Sequence, residues 1–406
     1  MRPPSACSQR ASGVSQGVET AAELRLALVR QRYNPFGGAE RFIERAISAL
    51  EREKVAVTLL TRGWRGESKR DVRIVDPVYV GRLWRDASFS RGVRRLLGRE
   101  RFDLVQSHER IPGCDLYRAG DGVHRQWLEY RAETATPLER LGVRLNPYHW
   151  YTCAQERAMF EHPGLRAVIC NSRMVAAEIL RHFRIATEKL HVIYNGVDLE
   201  FFHPRHRLEM RVAARIAIGC KAKDTVFAFV GSGFARKGLA DAIDALALSG
   251  RSDFRLIVAG SDRAASRYAG RAERSGIADR VLFLGGREDV RQVYAAADCF
   301  MLPTRYDPFP NAALEALAMG LPVIASSRCG AAELIRPGVN GWVWEPGEID
   351  ALSELMIEAA KCAGEQIGGD ARRSVEPYGV SPMADRMIAL YMSLLERNTL
   401  QPTAGR

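Results

Sequence analysis

At 406 residues, with 47% apolar and 26% charged side chains, the chain is long enough for two ordinary domains and too apolar to remain disordered. Its formal charge of +11 favours anionic partners, and the absence of a run of about 18 apolar residues excludes a membrane-spanning helix. Residues 1–22 lack the apolar centre of a signal peptide and read as a disordered leader. Eight scattered cysteines without a C-x-x-C pair fit reduced thiols better than a disulfide framework or a zinc site.

Leu24 to Val29 reads as the first strand. It ends at Asn34-Pro35-Phe36-Gly37-Gly38, and a helix is expected from Ala39 to about Glu51. Val55 to Leu60 and Leu104 to Ser107 follow as strands. Between Arg62 and Arg101 twelve Arg/Lys face five Asp/Glu, a local net of +7 (12 − 5). Trp64, Trp84 and Phe89 lie among them, a mixture suited to an anionic lipid surface, although a solvated face has the same composition. Nucleic acid is not expected as a partner. Ala167 to Cys170 is a further strand, and Asn171-Ser172 caps a helix running to about Arg181.

The alternation restarts at Thr225 to Val230 and continues through Arg255–Ala259, Val281–Leu284, Asp298–Leu302 and Pro322–Ala325. Strands alternating with helices at this spacing predict an α/β chain with parallel sheets and ligands at their carboxyl edges. An amphipathic helix from Ser381 to about Glu396 closes the pattern.

Four constellations carry chemistry. Pro303, Pro308 and Pro310 make the stretch after Leu302 a loop. That loop carries Asp307, and Glu315 follows eight positions later in the first turn of a helix capped by Asn311. A helix start beside two carboxylates suits a phosphorylated ligand with hydroxyls, though a dipole-complementing Glu and a loop Asp also occur without function. Gly231-Ser232-Gly233-Phe234-Ala235-Arg236-Lys237-Gly238 puts two cations on a Gly-rich turn after a strand, suited to a diphosphate. It is neither a Walker A loop, because Gly238 follows Lys237, nor a dinucleotide fingerprint, because the third glycine position is Arg236. Asp121 and His124 end a loop of the first half, where they either face a hydroxyl or cap a turn. Gly286-Arg287-Glu288-Asp289-Val290 ends another strand of the second half.

The Asp307–Glu315 segment resembles the E-x7-E signature of retaining family 4 glycosyltransferases, with Asp in place of the first Glu. The likeness implies a GT-B fold of two facing Rossmann-like domains: residues 23–204 on the acceptor side, 205–380 binding the nucleotide sugar, and a helix at 381–398 crossing back to the first domain. By the same likeness Glu315 binds the ribose and Asp307 the donor sugar. Gly233, Arg236, Lys237 and Asn311 join the donor set, with Arg236 and Lys237 neutralising the departing diphosphate. Gly37 and Gly38 offer amides to the donor phosphate, Arg287 and Val290 border the base, and Asp121 or His124 faces the acceptor. No D-x-D triplet is present, so no metal and no resident cofactor are expected, and Arg236, Lys237 and helix N-termini would take the metal's role.

Pro-Phe-Gly-Gly, Pro-Gly-Cys-Asp-Leu-Tyr and Phe-Ala-Arg-Lys-Gly are similar to the lipopolysaccharide core glucosyltransferase branch. That branch implies UDP-glucose, a phosphorylated heptose acceptor on a glycolipid, and a cytoplasmic location peripheral to the inner face of the membrane. Two rival readings share much of the pattern: a non-hydrolysing UDP-sugar epimerase, and a basic peripheral membrane protein with a vestigial nucleotide site.

Overall fold

The computed structural model describes residues 24–31, 55–63, 71–362 and 364–400. The expected Gly37-Gly38 turn, the helix after it and Trp64 lie outside the described residues. Two wholly parallel sheets form the frame. The first joins β1 (Leu24–Val29), β2 (Val55–Thr61), β3 (Asp71–Ile74), β4 (Leu104–Ser107), β5 (Leu116–Arg118), β6 (Ala167–Cys170) and β7 (Leu190–Val192) in the order β3-β2-β1-β4-β5-β6-β7. The second joins β8 (Thr225–Val230), β9 (Phe254–Ala259), β10 (Val281–Gly285), β11 (Cys299–Leu302), β12 (Val323–Ser326) and β13 (Gly341–Trp344) in the order β10-β9-β8-β11-β12-β13.

The central strands explain themselves. AVIC, TVFAFV and CFML are continuous apolar runs, as strands covered by helices on both faces must be. In each sheet the strand order reverses beside the first strand, between β1 and β4 and between β8 and β11. Those reversals open a crevice at the carboxyl ends, where ligands of open parallel sheets sit. The loops after β8 and β11 carry Arg236, Lys237 and Asp307, so the fold itself brings the two motifs together.

The helix Val380–Leu400 returns to the first sheet. Met383, Met387, Leu390, Tyr391 and Leu394 pack in one cluster with Leu26, Leu28, Val57 and Leu104. The Tyr391 hydroxyl donates to Oε1 of buried Gln106 at 2.6 Å. Among the described residues no helix is long and apolar enough to cross a membrane.

Two sequence expectations are corrected here. Phe89 belongs to the core rather than to a surface patch. Arg62 is buried as well, its guanidinium donating to Asp76, Ser88 and the carbonyls of Pro77 and Arg85. Of the three described aromatics in that segment, Tyr79 and Trp84 are exposed and Phe89 is not.

Candidate active site

The loop between β11 and the helix Asn311–Ala318 is fixed at both ends. The Asp307 amide donates to the Arg328 carbonyl at 3.1 Å, and its own carbonyl accepts from Gly330 N–H at 2.9 Å. The Asp307 carboxylate is buried, and its Oδ2 lies 3.1 Å from Lys237 Nζ and 3.2 Å from Arg236 Nη1. Burial opposes its ionised form, but Lys237 and Arg236 outweigh burial and hold the carboxyl below its ordinary range. The shorter Asp therefore reaches both cations without the extra methylene of Glu.

Glycine makes this approach possible at two positions. Gly231 has φ +145°, and a Cβ there would lie 2.6 Å from Lys237 Cε. Gly238 has φ +76° and begins the helix Leu239–Leu248, and a Cβ there would lie 1.7 Å from the Pro303 carbonyl oxygen. Thr304 Oγ1 and the Arg305 amide both donate to the Arg236 carbonyl, at 2.9 and 2.8 Å. The cationic turn and the acidic loop are thus one stitched unit.

The helix start differs from its expected form. Pro310 occupies the cap position, Asn311 is the first helical residue, and Glu315 falls in the second turn rather than the first. The Tyr294 hydroxyl donates to Glu315 Oε2 at 2.9 Å. Asn311 Oδ1 accepts from Asn195 Nδ2 at 2.7 Å, and Asn195 Oδ1 accepts from Arg118 Nη2 at 2.7 Å. Arg118 is a buried residue of β5, so this chain of hydrogen bonds ties the two sheets together across the crevice. Arg287 is exposed on the turn after β10, whereas the Val290 side chain is buried in the second core. Gly233, at φ +78°, has open space where a Cβ would stand.

On the first-domain side, Asp121 is exposed and has no hydrogen bond or ion pair among the described residues. His124 opens the helix His124–Thr134. Its Nε2 sits 3.0 Å from His149 Nδ1, and burial, with Arg110 and His149 nearby, pushes its pKa down to about 3. The ring is therefore neutral at physiological pH and engaged with His149.

Four side chains that sequence reasoning passed over shape this seam. Glu156 is buried and accepts from the amides of His124 and Arg125 and from Arg110 Nε. Glu333, from the second half, accepts from the Arg173 and Met174 amides at the start of the helix Arg173–His182. Glu178 of that helix accepts from the Tyr306 hydroxyl. Only Tyr306 carried a signal, its place beside Asp307.

Comparisons with known proteins bear on the fold and the family. The model for glycosyltransferase family 4 matches residues 36–201, and that for group 1 glycosyl transferases matches residues 213–374. The chain is 28% identical over 340 residues to lipopolysaccharide glucosyltransferase WaaG of Escherichia coli K12, spanning 82% of this chain and 89% of that protein. The crystal structure of WaaG superposes with a TM-score of 0.78 at 25% identity, over 90% of this chain and 99% of that one. The structure of Anabaena HepE in complex with UDP and glucose has the same fold, with a TM-score of 0.66 at 22% identity, over 91% and 100% of the two chains. With a family 4 domain carrying Asp121 and a group 1 domain carrying Asp307 and Glu315, the chain belongs to the GT-B glycosyltransferases and is a hexosyltransferase.

Proposed function

We propose that the chain moves glucose from UDP-glucose, with retention at the anomeric carbon, to a hydroxyl of a cell-envelope glycolipid such as the lipopolysaccharide inner-core heptose. The observation that supports this most is the Lys237–Asp307–Arg236 cluster at the sheet's reversal point. Two cations on a Gly-rich turn offer a diphosphate its counter-charges, and a carboxylate beside them offers acceptors for sugar hydroxyls. Glu315, one turn into the neighbouring helix, takes the ribose. Asp121 takes the acceptor hydroxyl. Charge on the departing diphosphate falls to Arg236 and Lys237, with no metal in the reading. The likeness to WaaG supports glucose and a glycolipid acceptor.

The acceptor reading draws on a second surface. The helix Pro137–Leu145 leaves Leu138, Leu141 and Leu145 exposed, and the exposed Trp150 of the helix Pro147–Phe160 donates from its indole to the Arg144 carbonyl at 2.8 Å. A cavity of about 630 Å³ opens there, lined by Leu128, Val143, Trp150 and Phe183 with Arg125, Arg144 and Arg157 among the lining residues. His149 lines it too and pairs with His124, which connects this apolar, basic face to the acceptor loop. Such a face suits an anionic membrane surface, here the inner face of the cytoplasmic membrane.

The test is an incubation with UDP-glucose and a phosphorylated heptose glycolipid in micelles, followed by proton NMR. The expected result is UDP release and an α-linked hexose on the acceptor, faster in anionic than in neutral micelles. A β-linked product would refute retention. Inversion at C2 of the intact UDP-sugar, without transfer, would assign the chain to the epimerases instead.

A further inference from the structure

Tyr306 joins more of the crevice than any other side chain of the acidic loop. Its hydroxyl donates to Glu178 Oε2 at 2.6 Å and accepts from the Val123 amide at 2.9 Å. Both partners belong to the first half of the chain. Its ring is buried, stacked on Trp127 at 6.4 Å between centroids and tilted against Tyr130 at 5.7 Å. Its carbonyl accepts from Arg236 Nη1 at 2.8 Å, and the next residue is Asp307. On the facing loop, Asp121 is separated from Val123 only by Gly122, where a Cβ would lie 2.1 Å from the Tyr306 oxygen and 2.7 Å from Pro308 Cγ. Gly122, at φ +67°, is the residue that lets the two loops touch.

We propose that Tyr306 is a positioning residue, clasped by Glu178 and the Val123 amide so that the loop bearing Asp307 and the loop bearing Asp121 are set against each other by one side chain. The clasp gives the enzyme a way to assemble donor-side and acceptor-side groups in a single step, and it rests on the placement of Asp121 and Asp307 proposed above. A neutral hydroxyl held between a carboxyl oxygen and an amide N–H is directional, which an apolar contact is not.

Glu178 also sets when the clasp holds. Burial pushes its carboxyl up to about 7; the Tyr306 hydrogen bond and Arg181 on its own helix pull the other way, while Glu129 and Glu156 from the two facing helices add to the rise. Tyr130 faces the same carboxylate. Its second oxygen, Oε1, is buried without a hydrogen-bond partner among the described residues. Opening the seam hydrates this group, so the clasped form is favoured while Glu178 is protonated and loosens as pH rises through about 7.

The test uses Tyr306→Phe, which keeps the ring and removes both hydroxyl bonds, and Glu178→Gln, which keeps an acceptor and removes the titration. Two arms are read on the full chain. In amide hydrogen exchange, Val123 should lose protection by about tenfold or more in Tyr306→Phe while β5 amides stay unchanged. With the nucleotide sugar that the wild type turns over, kcat should fall about 10–100-fold with KM for the donor nearly unchanged. The wild-type kcat should also decline above about pH 7, and Glu178→Gln should lack that limb. Unchanged Val123 exchange would overturn the proposal, and so would a fall in kcat matched by an equal loss of donor affinity. The exchange arm needs no substrate, so it decides the clasp even where the donor assignment fails. Cooperative melting curves of both variants check that they are folded.

Discussion

Lys237→Met is expected to lower the rate of hexosyl transfer by about 10²–10³-fold, the cost of removing one preorganised charge from a site where negative charge develops. Methionine keeps the unbranched stem that folds over Gly231 and deletes only the ammonium. Lys237 is the more deeply buried of the two cations on Asp307, so its charge acts in the drier environment and is screened less. The substitution also leaves a buried carboxylate with one cation in place of two, which destabilises the loop. Adding Asp307→Asn to Lys237→Met separates the effects. The double variant should regain thermal stability without regaining transfer, and steady-state kinetics with a melting curve reads both.

Glu178 is expected to contribute stability that falls as pH rises from about 4.5 to about 7, opposite in sign to the contribution of the buried His124, whose depressed pKa favours the fold as pH rises. The Glu178 carboxyl is raised by burial, so in that window the folded form holds a proton that the unfolded chain releases. Stability from this group is therefore complete below the unfolded value near 4.5 and is lost as pH climbs to the folded value near 7. The shift corresponds to about 3 kcal/mol at most. Relative to the wild type, Glu178→Gln should gain stability progressively between pH 4.5 and 7 and melt higher above pH 7. Parallel melting curves of the two proteins between pH 4.5 and 8 would contradict the assignment.

How much was legible in the sequence varied with the kind of interaction. The buried central strands were plain, because a parallel strand covered on both faces leaves an apolar run bounded by Gly, Pro or polar turns. The second-half motifs stood out too, since Arg236, Lys237, Asp307 and Glu315 each stand in a short local pattern, and the fold brings the first three together. Strands of three or four residues such as β3, β5, β7 and β13 were missed. They are set by their neighbours in the sheet rather than by their own few residues. The helices spanning Pro137–Phe160 were missed for the opposite reason. The first of them buries no residue and the second buries apolar side chains only at its end, Met159 and Phe160, so no long inward stripe marks them, although Thr136 and Glu139 form a capping box.

Side-chain roles across the crevice were the least legible. Tyr306 and Glu178 are 128 positions apart, and nothing local to either announces the other. Glu333 reads as a surface residue of a short turn until the first helix turn of Arg173–His182 is seen to end on it. Phe89 and Arg62 read as patch residues because composition does not distinguish an arginine in water from one wrapped in carbonyls. Asn311 read as a cap because Asn commonly caps helices, but Pro310 already occupies the extended cap position and Asn195 claims the Asn311 oxygen.

The donor site is the centre of the account, and calorimetric titration of the wild type and Glu315→Ala with UDP, UDP-glucose, GDP and ADP tests it most directly. The wild type should bind UDP and UDP-glucose more tightly than GDP or ADP. Glu315→Ala should weaken both uridine ligands by about 10–100-fold, the loss of hydrogen bonds to a charged group. Binding of no nucleotide by the wild type, or equal UDP affinity in the two proteins, would contradict it.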